Sequence, residues 1–241
     1  GMVEDMVILD YGTETALASI KELSGELAAV RGEPVQSRRT SLQPHTFLRK
    51  LRRLTREAGI TLIFDEMVTG FRGAGGGAQQ HFAVRPDMSL YGKIIGGGMP
   101  VGVIAGKAEY LDHVDGGPWQ YGDDSKPETE MIIFGGTFCR HPLAMASVCA
   151  VTDLFEREGM ALHERVNRRP TRMADTLNLW FQRENVPMRL SHFGSHFKFD
   201  TYGQYNPLIQ PIEVELLFML MLERGVFTWE RRTCFLSIAH T

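Results

Sequence analysis

The sequence predicts an α/β layered domain followed by a smaller α+β domain. Strand-like and helix-like segments alternate through the first half of the 241-residue chain, the pattern of a layered sheet with crossover helices. The run Thr61-Leu62-Ile63-Phe64 is β-rich, apolar on both faces, and stops at Asp65-Glu66, as expected of a buried parallel strand. After a polar loop at 113–131, with Gly116, Gly117, Pro118 and Pro127, the pattern changes to a long helical periodicity followed by short alternating segments.

The elements follow in order. Met6-Val7-Ile8-Leu9 is a short strand-like run that ends at Asp10-Tyr11-Gly12. Residues 13–29 place Leu17, Ile20, Leu23 and Leu27 at helical spacing. Ala28 to Val35 reads as the next strand, interrupted by Arg31-Gly32. Residues 45–58 carry Phe47, Leu48, Leu51 and Leu54 on one face, and Arg49, Lys50, Arg52, Arg53 and Arg56 on the other. Met88 to Tyr91 and Val101 to Ala105 are further strands. Pro142 suits the first turn of a helix, whose apolar stripe runs through Leu143, Ala146, Val151, Leu154 and Phe155. The periodicity continues through Leu162, Val166, Met173, Leu177 and Trp180, with Pro170 expected to break or kink it. Residues 189–199 alternate in part. Residues 212–224 read as an amphipathic helix, and 226–229 with 234–237 as a closing pair of strands. The domains are read as 1–140 and 141–241. No internal repeat or low-complexity tract is visible.

Composition narrows the function classes. With 26 basic and 29 acidic side chains the formal net charge is −3, which gives no reason to expect a nucleic-acid binder or a polybasic membrane protein. An apolar fraction of 43% is enough for a core. The three cysteines, Cys139, Cys149 and Cys234, form no CxxC pair; neither a disulfide framework nor a cysteine zinc site is expected, and reduced cytoplasmic thiols fit best. The opening residues lack the basic and apolar regions of a signal peptide, Gly1 before Met2 reads as a scar of tag removal, and Val214–Leu222 is too short to span a membrane.

Two residues stand out chemically. Asp65 ends a buried-looking strand, and Lys93 follows another in Tyr91-Gly92-Lys93-Ile94-Ile95-Gly96-Gly97-Gly98. In open α/β sheets ligands gather at the carboxyl ends of strands. A desolvated lysine loses its proton more easily and attacks carbonyls, and a buried aspartate keeps a ring nitrogen protonated. Pyridoxal phosphate chemistry needs that pair. An aspartate closing a strand also serves as a turn cap, and a loop lysine is often simply solvated; spacing alone leaves both readings open. A nucleotide-binding P-loop is disfavoured because Lys93 precedes its glycines, whereas in GxxxxGK[ST] the lysine follows them. His192 and His196 stand four apart, a zinc spacing on a helix, but Gly194 and the aromatic alternation favour a structural role on a strand. The basic face of 49–56 reads as a solvated helix face. Trp180 and Trp229 read as packing residues, and Trp119 sits in the loop between the domains, where ligand sites often form.

The segments Leu62-Ile63-Phe64-Asp65-Glu66-Met67-Val68-Thr69-Gly70-Phe71-Arg72 and Tyr91 through Gly102 resemble class III aminotransferases, fold-type-I pyridoxal-phosphate enzymes, and glutamate-1-semialdehyde aminomutases share the signature. Glu33 to Arg38, Gly117 to Ser125, Gly136 to Ala144 and the ending Glu230 to Thr241 are similar to aminotransferase domains embedded in polyketide and nonribosomal-peptide megasynthases. The resemblance implies a PLP-dependent transferase-like fold: residues 1–140 as the later part of the large domain, and 141–241 as the small domain, incomplete at its end. It implies that Lys93 bonds the cofactor and shuttles a proton, that Asp65 pairs with the pyridinium nitrogen, and that Met67 packs against the ring in the place of a usual valine. It implies that Thr137 reaches the phosphate held by a neighbouring subunit, hence a homodimer, and places Glu33 near the substrate. An amino-acid donor and a β-ketoacyl thioester on an acyl carrier protein are the implied partners; an aminomutase is the enzymatic alternative. The chain looks N-terminally truncated against this family, without the phosphate loop and the ring-stacking aromatic, so a catalytically incompetent fragment is the remaining alternative. Arg31-Gly32 stands where the family has apolar strand residues.

Overall fold

The computed structural model describes residues 4–203, 211–229 and 232–241. Helix α1 (Glu14–Glu22) begins where the Thr13 hydroxyl accepts the Ala16 N–H at 3.1 Å, satisfying one of the free donors of a helix start. Its buried face is Ala16, Leu17 and Ile20. Helix α2 (His45–Ala58) buries Phe47, Leu48 and Leu51 and is ended by Gly59 at φ +69°. The polar face of α2 is solvated, with two ties: Lys50 to Glu14 at 2.6 Å and Arg52 to Asp87 at 2.8 Å.

These helices cover a four-stranded sheet of β1 (Ala29–Gly32), β2 (Thr61–Asp65), β3 (Met88–Gly92) and β4 (Gly102–Gly106), in that spatial order. The pairs β1–β2 and β2–β3 are parallel, and β4 runs antiparallel to β3. Leu62 and Phe64 of β2 bury into a core with Ile20, Leu48, Leu51 and Phe82. The short helix α3 (Gly77–Phe82) joins β2 to β3, and α4 (Ala108–Asp115) follows β4. Asp87, just before β3, fixes the entry of that strand. Its carboxylate accepts the Leu62 N–H, Arg52 and Lys107, each at 2.8 Å. Burial alone pushes the Asp87 carboxyl up, but the Leu62 amide, Lys107 and Arg52 outweigh it and hold it below the usual carboxylate range.

Helix α5 (Pro142–Arg183) has Pro142 at its first turn. Pro170 does not end it: the helix continues through this buried proline, and the non-helical backbone lies at Gly159, φ +58° and ψ −153°. The second sheet comprises β5 (Met188–Phe193), β6 (His196–Thr201) and β7 (Cys234–Phe235), all antiparallel, and α6 (Ile212–Glu223) precedes β7. Three expectations change here. Residues 6–9 form no strand. Residues 226–229 form none either, so β7 pairs with β6 rather than with its own predecessor. Helix α6 buries only Val214 and Phe218, while Leu216, Met219, Leu220 and Leu222 are exposed, so it has no polar face to set against an apolar one. Gly1 to Val3, and Glu230 and Arg231 at the start of the C-terminal motif, lie outside the described residues.

The β5–β6 hairpin locks onto the first sheet through its turn. A side chain at Gly194, φ +53°, would meet the Arg72 carbonyl group and the Gly73 nitrogen at 2.7 Å, so both the conformation and the space require glycine. Beside it Phe193 stacks on Phe82 with centroids 6.1 Å apart, and Gln43 donates to the His192 carbonyl at 3.0 Å. Among the described residues no helix is long and apolar enough to cross a membrane.

His196 is fully buried, flanked by Phe193 and Phe235, with neither ring nitrogen hydrogen-bonded. Burial, with help from the nearby Arg72 and His192 charges, pushes its pKa down to about 3. Between that value and the ordinary 6.5 the unfolded chain takes up a proton that the folded chain refuses, so stability falls as pH drops through this window. His196→Phe keeps the packing and removes the titration. Unfolding free energies measured by denaturant at pH 6.5 and pH 5 should differ less in the variant, by about 1–2 kcal/mol at roughly 1.4 kcal/mol per pH unit; an unchanged slope contradicts the assignment.

Candidate active site

The sheet brings three of the sequence-predicted residues to one edge. Because β1, β2 and β3 are parallel, their carboxyl ends coincide. Glu33 follows β1, Asp65 closes β2, and Lys93 follows β3. Asp65 is in register with Leu90, so Lys93 follows on the adjacent strand's end three residues past that position, roughly 10 Å further along the strand direction at about 3.3 Å per residue.

Two neighbouring carboxylates at this edge have different fates. Glu66 is 1% exposed and accepts the Thr69 hydroxyl and the Ala78 N–H at 2.8 Å, and the Gln79 N–H at 3.0 Å. Burial pushes the Glu66 carboxyl up, against the lowering effect of those three donors. Gly77, at φ +70°, makes the room: a Cβ there would stand 2.6 Å from a Glu66 oxygen. Glu66 therefore folds the loop 66–79 back over the sheet and is spent on structure. Asp65 instead keeps access, at 17% side-chain exposure. One of its oxygens, Oδ1, accepts the Met67 N–H at 3.1 Å, and the other, Oδ2, accepts Arg31 Nη2 at 2.7 Å.

The lysine is set apart by its backbone. Gly92 is extended at φ −174°, and Lys93 then turns into the left-handed region at φ +50°, opening a single 3-10 turn over Lys93–Gly96. A non-glycine residue in this region costs of order 1 kcal/mol or more and marks sites where geometry serves function. The Lys93 side chain is exposed. Met67 reaches across to Gly92 so closely that a Cβ at Gly92 would collide with its terminal methyl. A primary amine, a carboxylate and a thioether wall thus share one edge. Their chemistry fits the aldehyde, ring nitrogen and ring face of a pyridoxal-type cofactor.

Glu33 stays at this edge with its carboxylate engaged, and the remaining predicted residues lie apart. Glu33 Oε2 accepts the Ser37 N–H at 3.0 Å and caps a turn. Thr137 is exposed in the loop between α4 and α5, on the segment that also exposes Ile133, Phe134 and Phe138. Across the β5–β6 hairpin His192 pairs with Phe197 and His196 with Phe193, and no metal-binding cluster is found among the described residues. Trp119 Nε1 donates to the Asp115 carbonyl, packing its loop onto the end of α4. A cavity of about 320 Å³ lined by Phe71, Arg72, Phe155, His163 and Phe235 includes neither Asp65 nor Lys93. Sequence reasoning missed the Glu66 anchor, the Gln79–Tyr91 hydrogen bond at 2.6 Å, and the role of Arg31, whose only signal was a charged residue inside a strand.

A family model described as aminotransferase class-III matches residues 9–232. The chain belongs to this family. Class-III aminotransferases use pyridoxal phosphate, whose chemistry calls for an amine and a carboxylate. Glutamate-1-semialdehyde 2,1-aminomutase from Desulfotalea psychrophila is 37% identical over 198 residues, 80% of this chain and 42% of that protein. The protein of the same name from Desulfitobacterium hafniense strain Y51 is 34% identical over 98% of this chain and 54% of its own length. The chain spans about half the length of these relatives. Among solved structures, an omega-transaminase from Sphaerobacter thermophilus aligns at TM-score 0.78 with 29% identity, covering 96% of this chain and 52% of that one. A β-phenylalanine aminotransferase from Variovorax paradoxus aligns at TM-score 0.79 with 28% identity, covering 98% and 53%. The class-III fold, an α/β architecture of fold type I, is thereby shared.

The Glu66 anchor makes a measurable contribution. Thr69→Val removes one donor from a buried carboxylate and should lower the unfolding free energy by about 1.5–3 kcal/mol in denaturant titrations at pH 7. A loss below a few tenths would mean that Glu66 does not depend on that hydroxyl.

Proposed function

We propose that this chain carries the lysine and carboxylate of an amino-group transfer site, moving an amino group from an amino-acid donor to a carbonyl acceptor. The observation that carries the reading is the delivery of Asp65 and Lys93 to the carboxyl ends of adjacent parallel strands, with Lys93 held in left-handed backbone. When bound, pyridoxal phosphate supplies an aldehyde that captures amines and a ring that draws electron density from the substrate α-carbon. Lys93 Nζ would bind that aldehyde and would hold and return the proton of the substrate α-carbon. The Asp65 carboxylate would hold the ring nitrogen, and Met67 would pack on the ring. We assign Thr137 to a phosphate contact in a second copy of the chain, and Glu33 to the substrate side of the same edge. The exposed Ile133, Phe134 and Phe138 around Thr137 support a homodimer in which this loop is covered. We read residues 1–140 and 141–241 as the large-domain and small-domain portions, each with its own sheet.

For the acceptor we favour a β-ketoacyl thioester on a carrier protein, on the pattern of the segments 117–125 and 136–144. An intramolecular exchange on an amino aldehyde is the second reading, supported by the aminomutase relatives at 34–37% identity. Turnover of an amino aldehyde with no external donor selects the second; strict dependence on a donor selects the first.

The cofactor assignment is tested by titrating pyridoxal phosphate into the purified protein. The wild type should develop violet absorbance that Lys93→Ala abolishes. Asp65→Asn should retain the absorbance and lose about three decades of turnover at 1.36 kcal/mol each. A wild-type protein that stays colourless would make the chain a non-catalytic member of its family.

A further inference from the structure

Arg72 carries a buried charge without a counter-ion. It sits in the loop 66–79 and is 9% exposed. Its guanidinium is held from several sides. Nε donates to the Val68 carbonyl at 2.7 Å, Nη1 donates to the Ser195 hydroxyl at 3.2 Å, and the group lies 4.3 Å from the centroid of the Phe235 ring. All of these contacts are neutral. Among the described residues no carboxylate forms an ion pair with Arg72, and Nη2 has no hydrogen-bond partner. Burial, with no opposite charge acting against it, pushes the guanidinium down to about 10. Buried charges in folded proteins are paired, so this fixed cation calls for an anion.

Arg72 also lines the cavity of about 320 Å³, a size in the range of small-molecule pockets, roughly 300–1,000 Å³. Most of the remaining wall is hydrocarbon. Phe71 and Phe155 stack with centroids 5.3 Å apart, and Leu154 and Leu162 stand beside them. His163, 6% exposed and with neither ring nitrogen partnered, borders the same space. One cation in an apolar enclosure selects a ligand with a single negative charge and an apolar body. A phosphate would bring a second charge and turn most of its oxygens toward hydrocarbon. We propose that this cavity is a binding site for a monocarboxylate with a short apolar chain, the carboxylate paired with Arg72 and the chain lying against Phe71, Phe155 and Leu162. The cavity lies where the loop 66–79, α5 and the second sheet meet, so its occupant ties these three elements together. Neither Asp65 nor Lys93 lines it, and occupancy is independent of the proposed function.

The test is calorimetric titration of the full chain with hexanoate and with hexanamide, its uncharged counterpart. The wild type should bind hexanoate about tenfold more tightly than hexanamide, the margin of a charge-assisted contact. Arg72→Met keeps the length of the side chain and should bring the ratio of the two affinities to about unity, and Arg72→Lys should retain part of the preference. Leu154→Trp fills the cavity while leaving Arg72 in place, and should abolish binding of both compounds. Lys93→Ala should bind hexanoate as the wild type does. If Arg72→Met does not fold, the wild-type ratio and Leu154→Trp decide. Absence of hexanoate binding in the wild type, equal affinity for the two compounds, or undiminished binding in Leu154→Trp overturns the inference. Loss of hexanoate binding in Lys93→Ala also overturns it, by placing the anion at the sheet edge.

Discussion

The parallel pairing of β1, β2 and β3 is the constraint on which the rest of the structure depends. It puts the ends of three strands at one edge, and so gathers Glu33, Asp65 and Lys93 from stretches of chain separated by whole helices. The register is specified because one face is buried: a slip of one residue would turn Leu62 and Phe64 out of the core and Asp65 into it. Asp87 secures the same register from the opposite end of the strands, by bonding the Leu62 N–H of β2 immediately before β3 begins. A carboxylate, rather than further apolar burial, thus sets where β3 starts and where Lys93 emerges.

Adjacent acidic residues at the end of β2 divide the labour between structure and site. Glu66 turns inward, meets three donors, and is enclosed by a glycine with no side chain to crowd it. Asp65 is left at the accessible edge with one backbone and one arginine contact. The alternation of a strand explains why neighbours in sequence face different surroundings, and tethering the one steadies the backbone that presents the other. On the lysine strand, strain takes a similar supporting role: an extended glycine followed by left-handed Lys93 breaks the strand and lifts the amine out of the sheet.

Much of this was legible in the residues. Periodicity locates α1, α2 and all four strands of the first sheet within a few positions, because their apolar residues recur at the period of each element. It does not locate α3, since six residues beginning in a run of glycines carry no helical pattern, and what holds them is the distant Glu66 side chain. Pro170 looks like a stop, yet the break falls at Gly159; the surroundings of α5 decide, and local propensity is overridden. The partner of β7 was unreadable because strand pairing is a choice among candidates that propensity alone cannot rank. At the site, Asp65 and Lys93 are visible as residue types at strand ends. Arg31 is visible only as an anomaly, because the contact with Asp65 that gives it meaning exists only once the register is known.

The account stands on Lys93 being the residue that bonds the cofactor at the carboxyl edge of the sheet. The most direct measurement is peptide mapping by mass spectrometry after the protein is mixed with pyridoxal phosphate and reduced with borohydride. The account predicts that the added cofactor mass resides on the peptide containing Lys93. A mass addition on any other lysine, with Lys93 unmodified, would contradict it.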